Sequence, residues 1–226
     1  MKLLITTRAD SSVEYYSKYT HEIFKNYAKK CNADFLVLDH EPPVIADDGN
    51  PASFRIMKQY DLHDEYDRIL SLDSDIVITP HAPNIFQYVP EDKIASTFED
   101  TVIEERINDR KGAIKNIQEK WEDIGWEKNY INSGVFVTSK MHRDIFQPVD
   151  GKYWTGEGSD DIHLGYQIHK LGYEIFELPF QFNHTGLYSE QRGGGHRRVD
   201  SYFIHYAGSG GKEELLNIAK YICQNL

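Results

Sequence analysis

The sequence predicts an α/β protein with a central mixed, mostly parallel sheet flanked by helices. Short apolar runs of strand length alternate with amphipathic helical patterns through the first part of the chain. A helix between two strands of one sheet returns the chain to the same end of the sheet, so the two strands run parallel. Such crossovers are right-handed. The third run, which begins at Arg68, is apolar almost throughout, as expected of a strand that is buried on both faces of such a sheet.

Composition limits the possible function classes. With 226 residues, 40% of them hydrophobic, the chain can bury a substantial core as one domain spanning residues 1–226. A formal net charge of -11 argues against nucleic acid or an anionic membrane surface as a partner. Two cysteines provide neither a disulfide framework nor a Cys-rich zinc site. No apolar run is long enough to span a bilayer, so we expect a cytoplasmic protein, of the cell or, if the source is viral, of the host.

The first elements follow from apolar spacing and from helix start signals. They are a strand at residues 3–5, a helix beginning near Ser11, a strand at 35–38, and a helix at about 53–66. Ser11 and Glu14 form a capping-box pattern at the first helix. The segment 41–51, with three prolines, is predicted to be a loop. No G-x-G-x-x-G sequence follows the first strand, which argues against a dinucleotide site there.

The later elements are less regularly spaced. A charged helix at 101–121 contains Gly112, which indicates either one helix or two shorter ones. The helix at 159–171 has acidic residues in its first turn and is expected to end at Gly172. Further strands are predicted at 93–98, 130–138, 174–178 and 202–205, and a final helix at 212–223.

Asp73 and Asp75 come at the end of the buried strand that begins at Arg68. In an extended chain, residues two apart point the same way, so both carboxylates can face one ligand. In α/β sheets the ligand crevice lies beyond the carboxyl ends of the strands. Two carboxylates held there repel each other unless a cation lies between them, and a divalent metal ion fits that place. A bare D-x-D sequence is equally compatible with an acidic corner between a strand and a loop.

His205 ends a predicted strand and precedes the glycine-rich stretch 208–211 and Lys212. Backbone amides of such a turn, a helix N-terminus and a lysine together favour an anion. Imidazole beside two carboxylates is a reasonable ligand set for Mn²⁺ (or Mg²⁺). The alternative is a hydrogen-bonded structural histidine.

Three further groups of residues are candidates for substrate binding. Asn132-Ser133-Gly134 lies within a predicted strand, where the glycine is equally explained by close packing. Asp160 and Asp161 begin a helix, which acidic residues stabilise without any function, but they also suit hydrogen bonds from sugar hydroxyls. Arg55 and Lys58 lie three residues apart on one helix face and suit a diphosphate, or else form a solvated basic face.

Four motifs in this order resemble those of GT-A glycosyltransferases, most closely the retaining, glycogenin-like and lipooligosaccharide galactosyltransferase-like group. The segment from Phe54-Arg55 through Tyr66 to Asp75 resembles the stretch in which an arginine precedes "YDKVLYLDAD". The second motif, Tyr130-Ile131-Asn132-Ser133-Gly134-Val135, is similar to "FNAGV". The third, Ser159-Asp160-Asp161-Ile162, stands at the place of "DQDIL". The fourth, Ile204-His205-Tyr206-Ala207-Gly208 with Lys212, is similar to "HYCG…K". Two departures are Ser159, in place of an acidic residue, and a gap before Lys212 that is one residue longer.

The resemblance implies a single GT-A (Rossmann-like) domain that uses a nucleotide-sugar donor, a UDP-sugar, and a glycan or another hydroxyl acceptor. It places Mn²⁺ (or Mg²⁺) on Asp73, Asp75 and His205. It puts Thr6, Thr7, Arg8 and Asp10 near the base and the ribose. The remaining expected substrate-binding residues are Arg55, Lys58, Ser74, Asn132, Ser133, Gly134, Asp160, Asp161, Gly208 and Lys212, of which Asn132, Asp160 and Asp161 are also the candidate catalytic residues.

The predicted reaction is therefore transfer of a sugar to an acceptor hydroxyl, with retention as the resemblance implies. An inverting enzyme would need a general base, which Glu157, Asp160 or Asp161 can supply. A haloacid-dehalogenase-type phosphatase also carries D-x-D, but Val77 stands where that family has threonine. A sugar-nucleotide or glycan-binding module without catalysis is the non-enzyme alternative. Glycines 193–195, followed by two arginines, predict either a flap over the site or a solvent loop.

Overall fold

The computed structural model describes residues 1–38, 51–208 and 210–226, without the side chains of residues 51–54. The predicted loop at 41–51 lies outside this part of the chain except for Pro51, where a helix begins. The strands are β1 (Leu3–Arg8), β2 (Asp34–Leu38), β3 (Arg68–Leu72), β4 (Ile76–Ile78), β5 (Ile94–Phe98), β6 (Ile131–Ser139), β7 (Ile175–Glu177) and β8 (Phe203–His205). The helices are α1 (Glu14–Cys31), α2 (Pro51–Glu65), α3 (Ile85–Tyr88), α4 (Glu104–Lys120), α5 (Ser159–Leu171) and α6 (Lys212–Cys223).

Six strands form the main sheet in the order β2-β1-β3-β6-β5-β7. β1 runs parallel to both β2 and β3, and β5 runs parallel to β7. β6 is antiparallel to its neighbours β3 and β5, and among these six strands it alone runs the opposite way. The prediction of an α/β protein with a mixed, mostly parallel central sheet flanked by helices is confirmed.

β4 and β8 form a separate antiparallel sheet, in which Ile76 pairs with His205. The chain therefore leaves the main sheet after Leu72, and the segment 73–75 is a turn between two sheets rather than the extended end of one strand. The reason is long-range, because β4 takes its partner from near the end of the chain. This pairing sets His205 beside the turn, and the N–H of Tyr206 donates to the carbonyl of Asp75 at 3.1 Å.

Two helices differ in detail from the sequence prediction. α1 is preceded by a short 3-10 turn, and the side chain of Asp10 caps that turn by accepting the N–H of Ser12. The predicted capping box of Ser11 and Glu14 is therefore wrong, because the earlier carboxylate takes the capping position. α4 runs without interruption through Gly112. In the described part of the chain, no helix combines the length and the apolar character needed to cross a membrane.

Apolar clusters cover both faces of the main sheet. Along β6 the side chains alternate, as strand geometry requires. Val135 and Val137 pack in a cluster that includes α1 and α6, whereas Phe136 packs in a cluster that includes α2 and α5. β3 and β6 are neighbours at the centre of this arrangement. Residues that belong to these strands or follow them directly are therefore held by packing on both faces.

Candidate functional site

Asp73, Asp75 and His205 meet at the turn between β3 and β4. Each offers one ligand atom, and these atoms all lie within 4.8 Å of one another. Nε2 of His205 lies 3.5 Å from Oδ2 of Asp73 and 3.3 Å from Oδ1 of Asp75. Burial opposes a charge on the His205 ring, but the hydrogen bond and charge of Asp75 and the charge of Asp73 outweigh it and raise the pKa. The structure thus brings together the three residues predicted to bind a metal.

The possible ligand atoms of Asp73, Asp75 and His205 suit a divalent cation. Carboxylate oxygens are ligands that Mg²⁺ and Mn²⁺ share, and an imidazole nitrogen favours the softer Mn²⁺. Nδ1 of His205 lies 2.8 Å from Oδ1 of Asn183, so Nε2 is the ring nitrogen that faces the carboxylates. The residues present therefore fit the Mn²⁺ (or Mg²⁺) that the motifs imply.

Lys212, the first residue of α6, reaches the same group. Its Nζ donates to Oδ2 of Asp75 at 2.5 Å and to the carbonyl of Tyr206 at 2.7 Å. Burial alone would raise the pKa of Asp75, but hydrogen bonds and charges from His205 and Lys212 outweigh it and lower the pKa. Asp75 is therefore held as a carboxylate with a cation beside it, and the longer gap before Lys212 does not keep the lysine away.

Arg55 connects the group of Asp73, Asp75 and His205 to a second acidic pair. Its guanidinium is buried and forms ion pairs with Asp73 and Asp160. It also donates to the hydroxyl of Ser133 at 2.8 Å. Burial would lower the pKa of Arg55, but the charges of Asp160 and Asp73 outweigh it and raise the pKa. One cation from α2 therefore bridges the turn after β3 to the start of α5.

Asp160 and Asp161 begin α5 and converge on Ser133 of β6. Oδ1 of Asp161 accepts the N–H of Ser133 at 2.7 Å, and Oδ2 of Asp160 accepts its hydroxyl at 3.1 Å. Burial, followed by the negative charges of Asp160 and Glu99, raises the pKa of Asp161 to about 8. At neutral pH Asp161 is therefore mainly a neutral acid that can donate a hydrogen bond.

Asn132 is tied into a buried network by both ends of its amide. Its Nδ2 donates to Oε1 of Glu99 at 2.6 Å. Its Oδ1 accepts from the N–H of Gly134 at 3.0 Å and from Nδ2 of Asn183 at 2.8 Å. Glu99 and Asn183 were not among the residues predicted from sequence. The available signal for Glu99 was its position directly after the predicted strand 93–98, at the edge where strand ends meet.

A cavity of about 270 Å³ lies between these groups. Its lining residues all belong to the set predicted from sequence: Arg8, Arg55, Asp73, Ser74, Asp75, Asn132, Ser133, Gly134, Asp160 and Asp161. They come from the ends of β1 and β3, from β6, and from the helices α2 and α5. The cavity therefore combines the carboxylates of Asp73 and Asp75, the buried guanidinium of Arg55 and the two carboxyls that begin α5.

Six predicted substrate-binding residues are not among the lining residues of this cavity: Lys212, which contacts Asp75, and Thr6, Thr7, Asp10, Lys58 and Gly208. The side chains of Thr6 and Thr7 are fully buried, because β1 lies between β2 and β3 with both faces covered. Asp10 touches the lining indirectly, through Arg8 at 2.9 Å. Lys58 forms an ion pair with Asp61 at 3.9 Å. The roles expected of these residues stay predictions.

A larger cleft of about 1470 Å³ lies on another side of His205. Arg197 and Arg198, which follow the glycine-rich segment 193–195, line this cleft together with Tyr206. The N–H of Gly194 donates to the carbonyl of Ser189 at 3.1 Å, and Gly193 and Gly195 on either side are exposed. Whether this segment is a flap over the site or a solvent loop stays a prediction.

Comparison with known proteins shows similarity in structure without a sequence match. No protein-family model and no curated protein matches the chain. A glycosyltransferase involved in glycosylation of the major capsid of PBCV-1 is 13% identical with a TM-score of 0.62, over 98% of this chain and 100% of that one. The galactosyltransferase LgtC, solved with donor and acceptor sugar analogues, is 14% identical with a TM-score of 0.61, over 96% and 95%. Mouse xyloside xylosyltransferase 1 is 11% identical with a TM-score of 0.51, over 91% and 97%. The chain therefore has the GT-A fold of these glycosyltransferases.

Proposed function

We propose that this chain is a metal-dependent glycosyltransferase that moves a sugar from a UDP-sugar to an acceptor hydroxyl, with retention of configuration. A fold by itself hosts many functions, so the proposal rests on the site. The observation that carries it is the grouping of Asp73, Asp75 and His205. Asp73 and Asp75 line the 270 Å³ cavity together with Arg55 and Asp160, and His205 lines the larger cleft. A metal group beside hydroxyl-binding carboxyls suits a donor that contains both a diphosphate and a sugar.

Asp73, Asp75 and His205 would hold Mn²⁺ (or Mg²⁺). Such an ion, when bound, acts as a Lewis acid that stabilises negative charge on a diphosphate leaving group. Lys212 adds a second positive charge beside this group, since its ammonium donates a hydrogen bond to the carboxylate of Asp75. Fixed charges of this kind stabilise the transition state because they are oriented before the reaction begins.

Arg55 and the α5 carboxyls orient the donor sugar in this proposal. Arg55 fixes the positions of Asp73 and Asp160 relative to each other, which sets the distance between the metal group and the sugar-binding wall. Asp160 accepts hydrogen bonds, and Asp161 at neutral pH is able to donate one. Together they match sugar hydroxyls, which both donate and accept.

Retention is favoured by the state of the carboxyls. An inverting enzyme needs an ionised base that faces the acceptor hydroxyl. Asp161 is mainly protonated near neutral pH because burial raises its pKa to about 8. Asp160 is held by Arg55 and Ser133, and the exposed Glu157 is not part of the cavity lining in the described residues. An inverting reaction through Asp160 is the alternative, and the anomeric configuration of the product, read by NMR, distinguishes the two.

The acceptor is assigned to the larger cleft beside His205. Its size suits a glycan, and its wall mixes guanidinium and carboxylate groups that can bind hydroxyls, including Arg198 and Glu105. UDP is assigned as the nucleotide on the resemblance of the motifs. The galactosyltransferase LgtC has been solved with donor and acceptor sugar analogues. This similarity in structure supports a site for two substrates in this chain.

A panel of UDP-sugars and GDP-sugars tests the proposal, scored by Mn²⁺-dependent thermal shift and by slow hydrolysis of the donor. We expect one UDP-sugar to give both signals, and Asp75→Asn or excess EDTA to abolish hydrolysis. Asp92→Asn, at an exposed carboxylate away from the cavity, is the matched control and should remain active. Full hydrolysis in EDTA contradicts metal dependence. A thermal shift without turnover of any sugar indicates a binding module, and release of phosphate from phosphomonoesters indicates a phosphatase.

A further inference from the structure

A chain of buried hydrogen bonds leads from the candidate metal ligand His205 to Glu99. Nδ1 of His205 lies 2.8 Å from Oδ1 of Asn183, and Nδ2 of Asn183 lies 2.8 Å from Oδ1 of Asn132. Nδ2 of Asn132 then lies 2.6 Å from Oε1 of Glu99. All four side chains are buried. We propose that Asn183 is a positioning residue that, through this relay, keeps a proton on Nδ1 of His205 and so leaves Nε2 as the ligand atom.

The direction of the relay is set at its far end. An ionised carboxylate only accepts hydrogen bonds, so Glu99 requires the NH₂ group of Asn132 to face it. The Oδ1 atom of Asn132 must then face Asn183 and accept from its NH₂ group. That leaves the Oδ1 atom of Asn183 for the histidine, and an amide oxygen accepts only from a ring nitrogen that carries a proton. Each orientation therefore follows from the previous one.

A backbone contact fixes the amide orientation of Asn132 independently of Glu99, and the orientation of Asn183 then follows from that of Asn132. The backbone N–H of Gly134 donates to Oδ1 of Asn132 at 3.0 Å, and a backbone N–H cannot be reversed. Nδ2 of Asn183 also lies 3.0 Å from the hydroxyl of Thr97. Reversing either amide would bury donors against donors or acceptors against acceptors, which is costly in a low-dielectric interior.

Glu99 is held in its ionised form by two arginines of α4. Nε of Arg110 donates to Oε2 of Glu99 at 2.8 Å, and a guanidinium nitrogen of Arg106 lies 2.9 Å from the same oxygen. Burial alone would raise the pKa of Glu99, but these two charges, with the hydrogen bond from Asn132, outweigh it and lower the pKa. The other carboxylate oxygen is thereby left to accept from Asn132.

The consequence for metal binding follows from the alternative tautomer. Without an acceptor at Nδ1, a neutral His205 gains more by carrying its proton on Nε2 and donating to Asp75, which lies 3.3 Å away. That tautomer offers no lone pair to a cation at this place. Residues that orient a metal ligand in this way typically contribute about 10–100-fold to metal affinity. The inference rests on the proposed metal site, but the tautomer exists without a metal.

The test is ¹⁵N NMR of the metal-free chain, labelled at histidine, at a pH where the His205 ring is neutral. We expect the wild-type proton on Nδ1, and a shift towards Nε2 in Asn183→Ala. Asn183→Asp keeps an acceptor for the ring, and a proton on its second oxygen can replace the NH₂ donor to Asn132, so this variant should keep the Nδ1 proton. His142 and His163 are internal controls, because each accepts a backbone N–H at Nδ1 and must carry its own proton on Nε2 in every folded variant.

Mn²⁺ affinity, measured by EPR titration, is the second readout. Asn183→Ala should bind Mn²⁺ about 10–100-fold more weakly, and Asn183→Asp should stay within a few-fold of wild type. An Nδ1 proton and unchanged affinity in a folded Asn183→Ala would overturn the inference. If Asn183→Ala does not fold, Asn183→Leu decides, because it fills a similar volume without an acceptor: an unchanged His205 tautomer there would overturn the inference equally. A wild-type chain that binds no Mn²⁺ contradicts the proposed function, whereas the tautomer still decides the role of Asn183.

Discussion

Gly134 lies so close to the ring of His205 that a Cβ atom at position 134 would be 2.8 Å from Nδ1 and nearer still to Cε1. The same Cβ atom would lie 2.8 Å from Oδ1 of Asn132. The glycine of the Asn132-Ser133-Gly134 sequence is thus required for packing, and the group that it packs against is the candidate metal ligand. For this residue the structural and the functional interpretation of the sequence are the same.

Gly134→Ala should weaken Mn²⁺ binding by about tenfold or more, because the added methyl group displaces the ring that carries Nε2. EPR titration measures the effect. Gly112→Ala is the matched control, since nothing lies within 4 Å of a Cβ there and the residue is inside α4. That control should leave Mn²⁺ affinity unchanged and raise the free energy of unfolding by about 0.5–1 kcal/mol. Wild-type Mn²⁺ affinity in a folded Gly134→Ala would contradict the prediction.

Arg55→Ala should lower the free energy of unfolding by about 3 kcal/mol, because it removes the buried guanidinium that Asp73 and Asp160 share and leaves the largely buried Asp160 without a cation. Arg55→Lys should recover part of the loss, since an ammonium cannot bridge two carboxylates as a planar guanidinium does. Urea unfolding of the metal-free chain measures both variants.

Lys58→Ala on the same helix is the control for Arg55. Its ion pair with Asp61 is at 3.9 Å and both side chains are largely exposed, so stability should change by less than about 0.5 kcal/mol. The same variant tests the prediction that Lys58 binds the donor, because a role in diphosphate binding would raise the KM for the donor. An equal loss of stability in both alanine variants would mean that the ion pairs of Arg55 stabilise the fold no more than an exposed ion pair does.

Asp161→Asn should stabilise the chain more at pH 8 than at pH 4. The pKa of Asp161 is raised to about 8 in the folded chain, from an ordinary value of 3.8, so between these values the folded state holds a proton that the unfolded state releases. In wild type this lowers stability as pH rises from about 4 to about 8. Asparagine removes the titration, keeps an acceptor for the N–H of Ser133, and resembles the neutral acid.

Thermal unfolding across this pH range gives the comparison. The gain from Asp161→Asn should reach at least about 1 kcal/mol at the upper end, since each unit of pKa shift corresponds to about 1.4 kcal/mol. Asp150→Asn, at an exposed loop position, provides a control in which the difference from wild type should not grow with pH. A constant difference for Asp161→Asn as well would show that its carboxyl is ionised throughout.

Elements with local signals were predictable to the residue. α5 and α6 have the bounds predicted from sequence. Acidic residues mark the first turn of both helices, and the left-handed Gly172 ends α5. The reversed direction of β6 and the separate β4–β8 sheet were not predicted. Both depend on which distant strand becomes the neighbour, and that choice leaves little trace in local periodicity.

The candidate site divides in the same way. Residues at strand ends and helix starts, such as Asp73 and Asp160, were predicted because in α/β folds ligands bind where such ends meet. Asn183 and Glu99 were missed because their importance lies in contacts with Asn132, which is far from both in the chain. A motif records residue types along the sequence, whereas the relay of hydrogen bonds from Glu99 to His205 is defined only once four segments have packed together.

The last prediction concerns acid stability and the buried His163 on α5. Its Nδ1 accepts the N–H of Trp154 at 3.3 Å, and its Nε2 lies 3.1 Å from the carbonyl of Gln147, so the folded chain holds the neutral ring. Burial is the main cause that lowers its pKa to about 4 from an ordinary value of 6.5. Below about pH 6.5 this histidine binds a proton in the unfolded state but not in the folded state, so the free energy of unfolding falls as pH drops towards 4.

His163→Gln should reduce this acid loss, because glutamine keeps one acceptor and one donor but takes up no proton. At pH 4 the wild-type chain should have lost about 3 kcal/mol through this residue alone, at about 1.4 kcal/mol for each unit of pKa shift. Urea unfolding from neutral pH to pH 4 measures the slope for both proteins. Above pH 7 both side chains are neutral, so the two curves should run parallel there, which provides an internal control. Parallel curves over the whole range would mean that His163 is already protonated in the folded chain or takes no part in acid unfolding.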